Sequence, residues 1–228
     1  MSEVMSDAHD GAEGSAPIEF RPSAQAAVVP EGPRDLALVF LGASLVAGVG
    51  DPKGQGWVTR VVGRTQHPDV TLNPYNLGVR GDTSADLLER WVTEVPRRWV
   101  GRTERRLVVS VGTSDILRGI TLARHRLNLA NLLDDAASTG VGTFVVSPPP
   151  SDDAELNERL EVLVEAQADV CSRRGVPFVD CYGPLLGHDQ WRTDLAASSI
   201  PHHPGQAGYG LIAWLVLHNG WSEWLQLG

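Results

Sequence analysis

Four short blocks of the sequence combine glycines with hydroxyl, amide and imidazole side chains: residues 42–45, 76–82, 112–115 and 201–209. These groups are what acyl transfer needs, namely a nucleophile, donors to an oxyanion and a general base. The candidate nucleophile is Ser44, in the first block. That block alone is also typical of a strand followed by an ordinary turn in which the serine caps the next element. The other blocks of the sequence are therefore needed to distinguish a nucleophile from a capping residue.

The blocks are preceded by apolar runs that predict strands. The run before Ser44 is continuously apolar, as expected for a strand buried on both faces. Pro74 weakens the second run, which favours an edge or irregular strand. Open α/β sheets bind their ligands at the carboxyl ends of their strands, where several of these blocks lie. The predicted strands cover residues 38–41, 70–77, 107–111, 143–146 and 178–181.

Helical patterns separate the predicted strands. Leu129, Leu132 and Leu133, for example, share one face at the spacing of an amphipathic helix. Strands that alternate with helices indicate βαβ units, so we expect an α/β fold: a three-layer α/β/α sandwich with a mainly parallel five-stranded sheet, flavodoxin-like in class. The predicted helices cover residues 56–66, 122–138, 153–174 and 206–218, with another between residues 82–84 and Pro96 and a helix-like segment at 191–197.

The composition predicts one folded domain with a tail. Residues 1–34 are rich in Ala, Ser, Gly, Glu, Asp and Pro, which bury too little surface to offset the entropy of ordering. We therefore expect a disordered amino-terminal tail over residues 1–34 and a single domain over residues 35–228.

The net charge, the cysteine count and the hydropathy pattern argue against several classes of function. A formal charge of −9 argues against a nucleic-acid partner. Cys171 and Cys181 are isolated, so the sequence indicates neither a zinc site nor a disulfide framework. No metal and no cofactor are expected. No apolar run reaches the roughly 18 residues that a membrane span needs, and the amino terminus lacks a signal pattern. We expect a cytoplasmic protein, and the sequence leaves its oligomeric state open.

Together the four blocks resemble the SGNH (GDSL-type) hydrolase family. That family carries Gly-Asp-Ser-Leu, then a block with Asn and Gly, then Gly-x-Asn-Asp, and finally Asp-x-x-His-Pro ahead of Gly-Tyr. The resemblance covers about residues 36–228, and the stretches 49–52, 75–84 and 148–150 are similar to bacterial members. It implies a serine hydrolase of the esterase or lipase type, acting on a small-molecule ester or thioester without a cofactor.

Carried over by position, the resemblance implies a role for four residues. Ser44 is the nucleophile and gives one backbone N–H to the oxyanion hole, and Gly78 gives a second. Ser114 stands where the family has its oxyanion asparagine. His203, followed by Pro204, stands at the position of the catalytic base.

Three positions depart from the family pattern. Ala43 replaces the aspartate of the first block, which costs a hydrogen bond that stabilises the loop rather than a chemical group. Ser114 is shorter than asparagine, and loss of an oxyanion donor costs about 10²–10³ in rate. Ile200 replaces the aspartate of the triad, and that defect costs about 10⁴ in turnover in the Ser-His-Asp template.

No other residue is an obvious substitute for the missing acid. Asp194 is nearest in sequence, but its helix-like surroundings predict a surface or capping charge. His202 stays a second candidate for the base because it adjoins His203. Two aspartates, Asp82 and Asp115, are expected to make structural hydrogen bonds. Three isolated histidines, His125, His188 and His218, are expected at the surface or in packing.

Three functions remain open at this point. The first is a serine hydrolase that forms an acyl-enzyme on Ser44, with His203 as its base. The second is a catalytically impaired binding or regulatory protein, because three polar positions of the motif have become small or apolar. The third is a repurposed acyltransferase in a biosynthetic pathway.

Overall fold

A five-stranded, all-parallel sheet forms the centre of the protein in a computed structural model that describes residues 32–227. The strand order is β2-β1-β3-β4-β5, the flavodoxin-like order, so the predicted α/β fold is confirmed. Pro74 lies on β2 at one edge of the sheet, as expected. The strands are β1 (Arg34–Gly42), β2 (Val70–Gly78), β3 (Glu104–Ser110), β4 (Gly142–Val146) and β5 (Phe178–Val179).

Nine α-helices connect or flank these strands within residues 32–227. Two of them, α5 and α8, have the predicted bounds, whereas α1, α4 and α9 were not predicted. The helices are α1 (Ser44–Ala47), α2 (Gly56–Val62), α3 (Ser84–Glu94), α4 (Thr113–Leu117), α5 (Leu122–Ser138), α6 (Ala154–Ser172), α7 (Asp189–Ala197), α8 (Gln206–His218) and α9 (Trp221–Leu225). None of these helices is long and apolar enough to cross a bilayer.

Alternate residues of β1 face two separate cores. Leu36, Leu38 and Phe40 pack with side chains of α2, α7, α8 and α9 on one face of the sheet. Ala37, Val39 and Leu41 pack with side chains of α3, α5 and α6 on the other face. Full burial of a large apolar side chain contributes about 1.5–3 kcal/mol, so both faces stabilise the central strand. The predicted three-layer α/β/α sandwich is confirmed.

The boundary of the domain lies one residue earlier than expected. Arg34, assigned to the tail from composition, is the first residue of β1. Its guanidinium makes a two-point ion pair with the buried Glu104, at 2.6 and 2.8 Å, and donates to the carbonyls of Leu225 and Gln226. This contact ties the start of the sheet to the end of the chain. The rest of the predicted tail, residues 1–31, lies outside the described residues.

The carboxyl ends of the three strands that concern the site are level with one another. Gly42 of β1 pairs with Gly78 of β2 on one side and with Ser110 of β3 on the other. The loops after these strands therefore meet at one edge of the sheet, where the sequence blocks place their polar groups.

Candidate active site

The turn after β1 presents Ser44 at the start of a helix. Ala43 is extended and Ser44 begins α1, which ends at Gly48 in the left-handed region. Gly42 has no room for a side chain, because a Cβ there would lie 2.3 Å from the carbonyl oxygen of Ser110. As the first residue of α1, Ser44 has a backbone N–H with no acceptor inside its own helix, which is the arrangement that an oxyanion hole uses.

A small cleft brings together Ser44 and Ser114. Its volume is about 20 Å³, enough for roughly one water molecule. Ser114 is buried on α4, the helix that begins directly after Gly112, whose φ of 152° favours glycine. The structure thus places the predicted nucleophile beside the serine that stands in for the asparagine of the family. The cleft is lined by Ala43, Ser44, Leu45, residues 110–114 and Pro148.

Gly78 lies near this turn, but its N–H already has a partner. It donates to the side-chain oxygen of Asn76 at 2.9 Å, while the Asn76 amide donates to the carbonyl of Val46 at 2.8 Å. A Cβ on Gly78 would lie 2.2 Å from the nitrogen of Ala47, so glycine is needed for the close approach of β2 to α1. A role for Gly78 in the oxyanion hole stays a prediction, since its N–H would first have to leave Asn76.

His203 is oriented by a backbone carbonyl. Its Nδ1 lies 2.6 Å from the carbonyl oxygen of Pro201. A carbonyl can only accept, so Nδ1 carries the hydrogen, and in the neutral ring Nε2 holds the lone pair. The Pro201 carbonyl therefore fixes the tautomer that a base needs, a role that the carboxylate at position 200 would have in the family pattern.

The surroundings of His203 favour its neutral form. Burial lowers the pKa of the imidazole below its ordinary 6.5, and the positive charge of Arg80 lowers it further, against the opposing effect of the hydrogen bond to Pro201. Nε2 is buried and has no hydrogen-bond partner among residues 32–227. The expected bond between Nε2 and the Ser44 hydroxyl is therefore not formed in this structure, although such bonds often tighten only when substrate is bound.

The loop that carries His203 packs directly on the loop after α1. Gly50 has a φ of 97°, and a Cβ there would lie 2.7 Å from the carbonyl of Pro204 and 3.1 Å from the Cβ of His203. The hydroxyl of Tyr209 donates to the carbonyl of Val49 at 2.5 Å. These contacts hold the loop of His203 against the loop that follows α1.

The alternatives considered from the sequence have other partners. Asp194 accepts a hydrogen bond from the N–H of Gly208 at 2.8 Å, so it caps the start of α8 as predicted. His202 has a φ of 61°, and its Nδ1 lies 2.8 Å from the Ser151 hydroxyl and 3.0 Å from Asp152. This histidine is thus bound to the loop after β4 rather than to Ser44.

A buried polar network lies behind Ser114 and gives Asp115 and His125 their predicted structural roles. Asp115 accepts from the N–H and hydroxyl of Ser84, at 3.0 and 2.5 Å, and its other neighbour is Nδ1 of His125 at 3.1 Å. Gln167 donates to the carbonyl of Val111 at 2.8 Å and lies 3.0 Å from Nε2 of His125. The network joins α3, α4, α5 and α6 to the end of β3.

The other two isolated histidines, His188 and His218, lie at the surface. His188 caps α7 through Nδ1, which accepts from the N–H of Trp191. His218 bonds through Nδ1 to the carbonyl of Trp214 and stacks on that ring.

Arg90 on α3 is a positioning residue that the sequence analysis missed. Its guanidinium donates to the carbonyls of Gly42 at 3.1 Å and Leu77 at 2.7 Å, and it pairs with Asp82 at 2.6 Å. One side chain thus joins the end of β1, the end of β2 and the loop that follows β2. The only signal in the sequence is that Arg90 follows the buried Leu87 by three residues, so it lies beside the apolar face of α3.

This sheet, with a serine at the end of β1 and a histidine ahead of the last long helix, defines an SGNH-type hydrolase fold. The chain belongs to the GDSL-like lipase/acylhydrolase family, whose model matches residues 40–211. Among curated proteins, it is similar to Esterase TesA of Pseudomonas aeruginosa, with 28% identity over 116 residues. The match covers 50% of this chain and 56% of the esterase, so the chain spans about half the length of that relative.

Solved structures share the same fold at low identity. A lipase/acylhydrolase from Enterococcus faecalis superposes with a TM-score of 0.64 at 23% identity, covering 82% of this chain and 96% of its own. Axe2, an acetylxylan esterase from Geobacillus stearothermophilus, superposes with a TM-score of 0.67 at 19% identity, covering 85% of this chain and 96% of its own.

The family hydrolyses esters, and for such an activity in this protein we expect the replacement of Arg90 by alanine to lower the rate. The Gly42 carbonyl then loses its side-chain donor, and a displacement of about 1 Å in the nucleophile costs about 10²-fold in rate. The measurement is kcat/KM for para-nitrophenyl acetate, with thermal unfolding to exclude global loss of structure. The exposed Arg97 is the matched control, and Arg97→Ala is expected to leave the rate unchanged. Equal rates for the folded Arg90 and Arg97 variants would contradict this role.

Proposed function

We propose that this protein is a serine esterase that uses Ser44 and His203 as a two-residue catalytic unit. The observation that carries the proposal is the state of His203: Nδ1 donates to the Pro201 carbonyl, and Nε2 is buried without a partner among residues 32–227. A neutral imidazole with a free lone pair at Nε2 is what a general base for a serine hydroxyl requires.

The reaction then follows two steps. His203 Nε2 takes the proton of the Ser44 hydroxyl as its oxygen attacks the carbonyl carbon of the ester. The oxyanion is stabilised by the backbone N–H of Ser44, with the Ser114 hydroxyl lining the same cleft. Nε2 returns the proton to the leaving alcohol, and a water molecule activated in the same way hydrolyses the acyl-enzyme.

The size of the cleft favours a short acyl group. The cleft beside Ser44 has room for roughly one water molecule, and Val111 and Pro148 are among the residues that line it. An acetyl-sized group suits this space better than a fatty acyl chain. Catalysis is expected to be slower than in a full triad, because a neutral carbonyl stabilises the imidazolium less than a carboxylate does.

A non-catalytic binding protein is the second candidate. It is supported by the separation of Nε2 from the Ser44 hydroxyl and by the replacements at Ala43, Ser114 and Ile200. The two candidates differ in one property, since only an esterase needs a reactive serine.

Ser44 is expected to react with a fluorophosphonate probe, because the probe captures activated serine hydroxyls. Mass spectrometry of the wild-type protein should locate the label on Ser44, and Ser44→Ala should lose both labelling and hydrolysis of para-nitrophenyl acetate. Ser114→Ala, in the same cleft, should keep the label and lose rate. Absence of the label from folded wild-type protein, under conditions that label an active family member, would favour the binding protein.

The acidic limb of the pH profile should lie below the ordinary pKa of histidine. A base whose pKa is lowered stays neutral, and therefore active, to a lower pH than free imidazole does. In the profile of kcat/KM, the midpoint of the limb is expected below pH 6.5. Arg80→Gln should move it upward, because one positive charge near the ring is lost. A wild-type midpoint above the ordinary value would contradict the burial of His203.

A further inference from the structure

Arg80 lies in the loop after β2, beside the turn that carries the nucleophile. Gly78 is level with Gly42 in the sheet, and the N–H of Val79 donates to the Gly42 carbonyl at 3.0 Å. Arg80 therefore directly follows Val79, which is bonded to Gly42 at the end of β1. Gly42 in turn stands two positions before Ser44. On the far side of the loop, Arg118 donates to the carbonyl of Gly81 at 3.3 Å.

The charge of Arg80 is not neutralised within the described part of the chain. Its side chain is exposed, and no carboxylate of residues 32–227 lies within 4.0 Å of it. Its neighbours differ in this respect, because Arg90 pairs with Asp82 at 2.6 Å and Arg118 pairs with Asp86 at 3.1 Å. The protein has a formal charge of −9, so most of its arginines have acidic residues to pair with. Arg80 follows the strand end next to the turn of Ser44 and has no such partner among residues 32–227, so its guanidinium is available to a ligand.

The charge of Arg80 also acts on the imidazole of His203. Its positive charge lowers the pKa of His203, so the guanidinium and the imidazole lie near one another. In the proposed mechanism His203 returns its proton to the leaving alcohol, so that alcohol lies beside the imidazole. The residues that line the small cleft at Ser44 do not include Arg80, so a group bound by the guanidinium lies outside the space beside Ser44 that receives the acyl group.

We propose that Arg80 is a specificity-determining residue that binds an anionic group on the alcohol portion of the substrate. The substrate class is then a short-chain acyl ester of an alcohol that carries a carboxylate or a similar anion. A guanidinium binds a carboxylate through two parallel hydrogen bonds, which fixes orientation as well as charge. This inference rests on the proposed esterase function and specifies its substrate.

The test compares two esters with the same acyl group and leaving groups of similar shape. Para-acetoxybenzoate carries the anion, and para-acetoxybenzamide is its neutral counterpart. The measurement is the ratio of their kcat/KM values at about pH 8, above the ordinary histidine pKa. Arg80→Gln is expected to lower this ratio about 10-fold, mainly through the KM of the anionic ester, as is typical of losing a hydrogen bond to a charged group.

Two controls separate this effect from general electrostatics. Arg97→Gln, which removes an exposed arginine from the connection between α3 and β3, should keep the wild-type ratio. Salt at about 1 M, where the screening length is about 3 Å, should lower the ratio in the wild-type protein and leave Arg80→Gln unaffected. An unchanged ratio in Arg80→Gln, or an equal fall in Arg97→Gln, would overturn the inference.

Failure of the inference can be told apart from failure of the esterase function. If the protein hydrolyses both esters without a preference that depends on Arg80, the esterase function is supported and the role of Arg80 is contradicted. If neither ester is hydrolysed, the inference is tested by binding of para-hydroxybenzoate and para-hydroxybenzamide, measured by NMR titration. An anion site at Arg80 is supported if the wild-type protein binds para-hydroxybenzoate more tightly and Arg80→Gln loses this preference. Equal binding of the two compounds by the wild-type protein would contradict an anion site.

Discussion

The hydrogen bond from His203 Nδ1 to the Pro201 carbonyl is the interaction on which the chemistry of this site depends. At 2.6 Å it selects the tautomer with a lone pair at Nε2, even though the family aspartate is replaced by Ile200. A carbonyl sets the tautomer, as a carboxylate does. It supplies no negative charge, so it stabilises the imidazolium less than a carboxylate would. Burial and the charge of Arg80 act in the same direction, because both keep the pKa of the imidazole low and the base unprotonated.

Close backbone approaches bring the parts of the site together. Gly42, Gly50 and Gly78 each stand where a Cβ would lie within 3 Å of a neighbouring backbone atom. These contacts set the end of β1 against β3, the loop after α1 against the His203 loop, and β2 against α1. Arg90 then joins the ends of β1 and β2 through their carbonyls. The functional groups are thus carried by loops that the sheet edge and its glycines hold in place.

Much of the fold was predictable, because it follows from long periodic segments. The bounds of α5 and α8 agree with their apolar patterns, whereas α1 and α4 have only four and five residues and show no helical period. The family resemblance assigned Ser44 and Ser114 to one site, and in the structure both line the same cleft. It did not predict the partner of His203, because any residue supplies a backbone carbonyl. Nor did it predict the bond from the Asn76 amide to the Val46 carbonyl, which forms only where β2 meets α1.

The most direct test of His203 as the base is the tautomer of its imidazole in solution. Nitrogen and carbon chemical shifts from ring-labelled histidine, assigned with His203→Gln, distinguish the two neutral forms from the imidazolium. The structure predicts a neutral ring at about pH 7 with its hydrogen on Nδ1. It also predicts that the pKa of this imidazole lies below the ordinary histidine pKa. A hydrogen on Nε2, or an imidazolium at that pH, would contradict the proposed catalytic unit of Ser44 and His203.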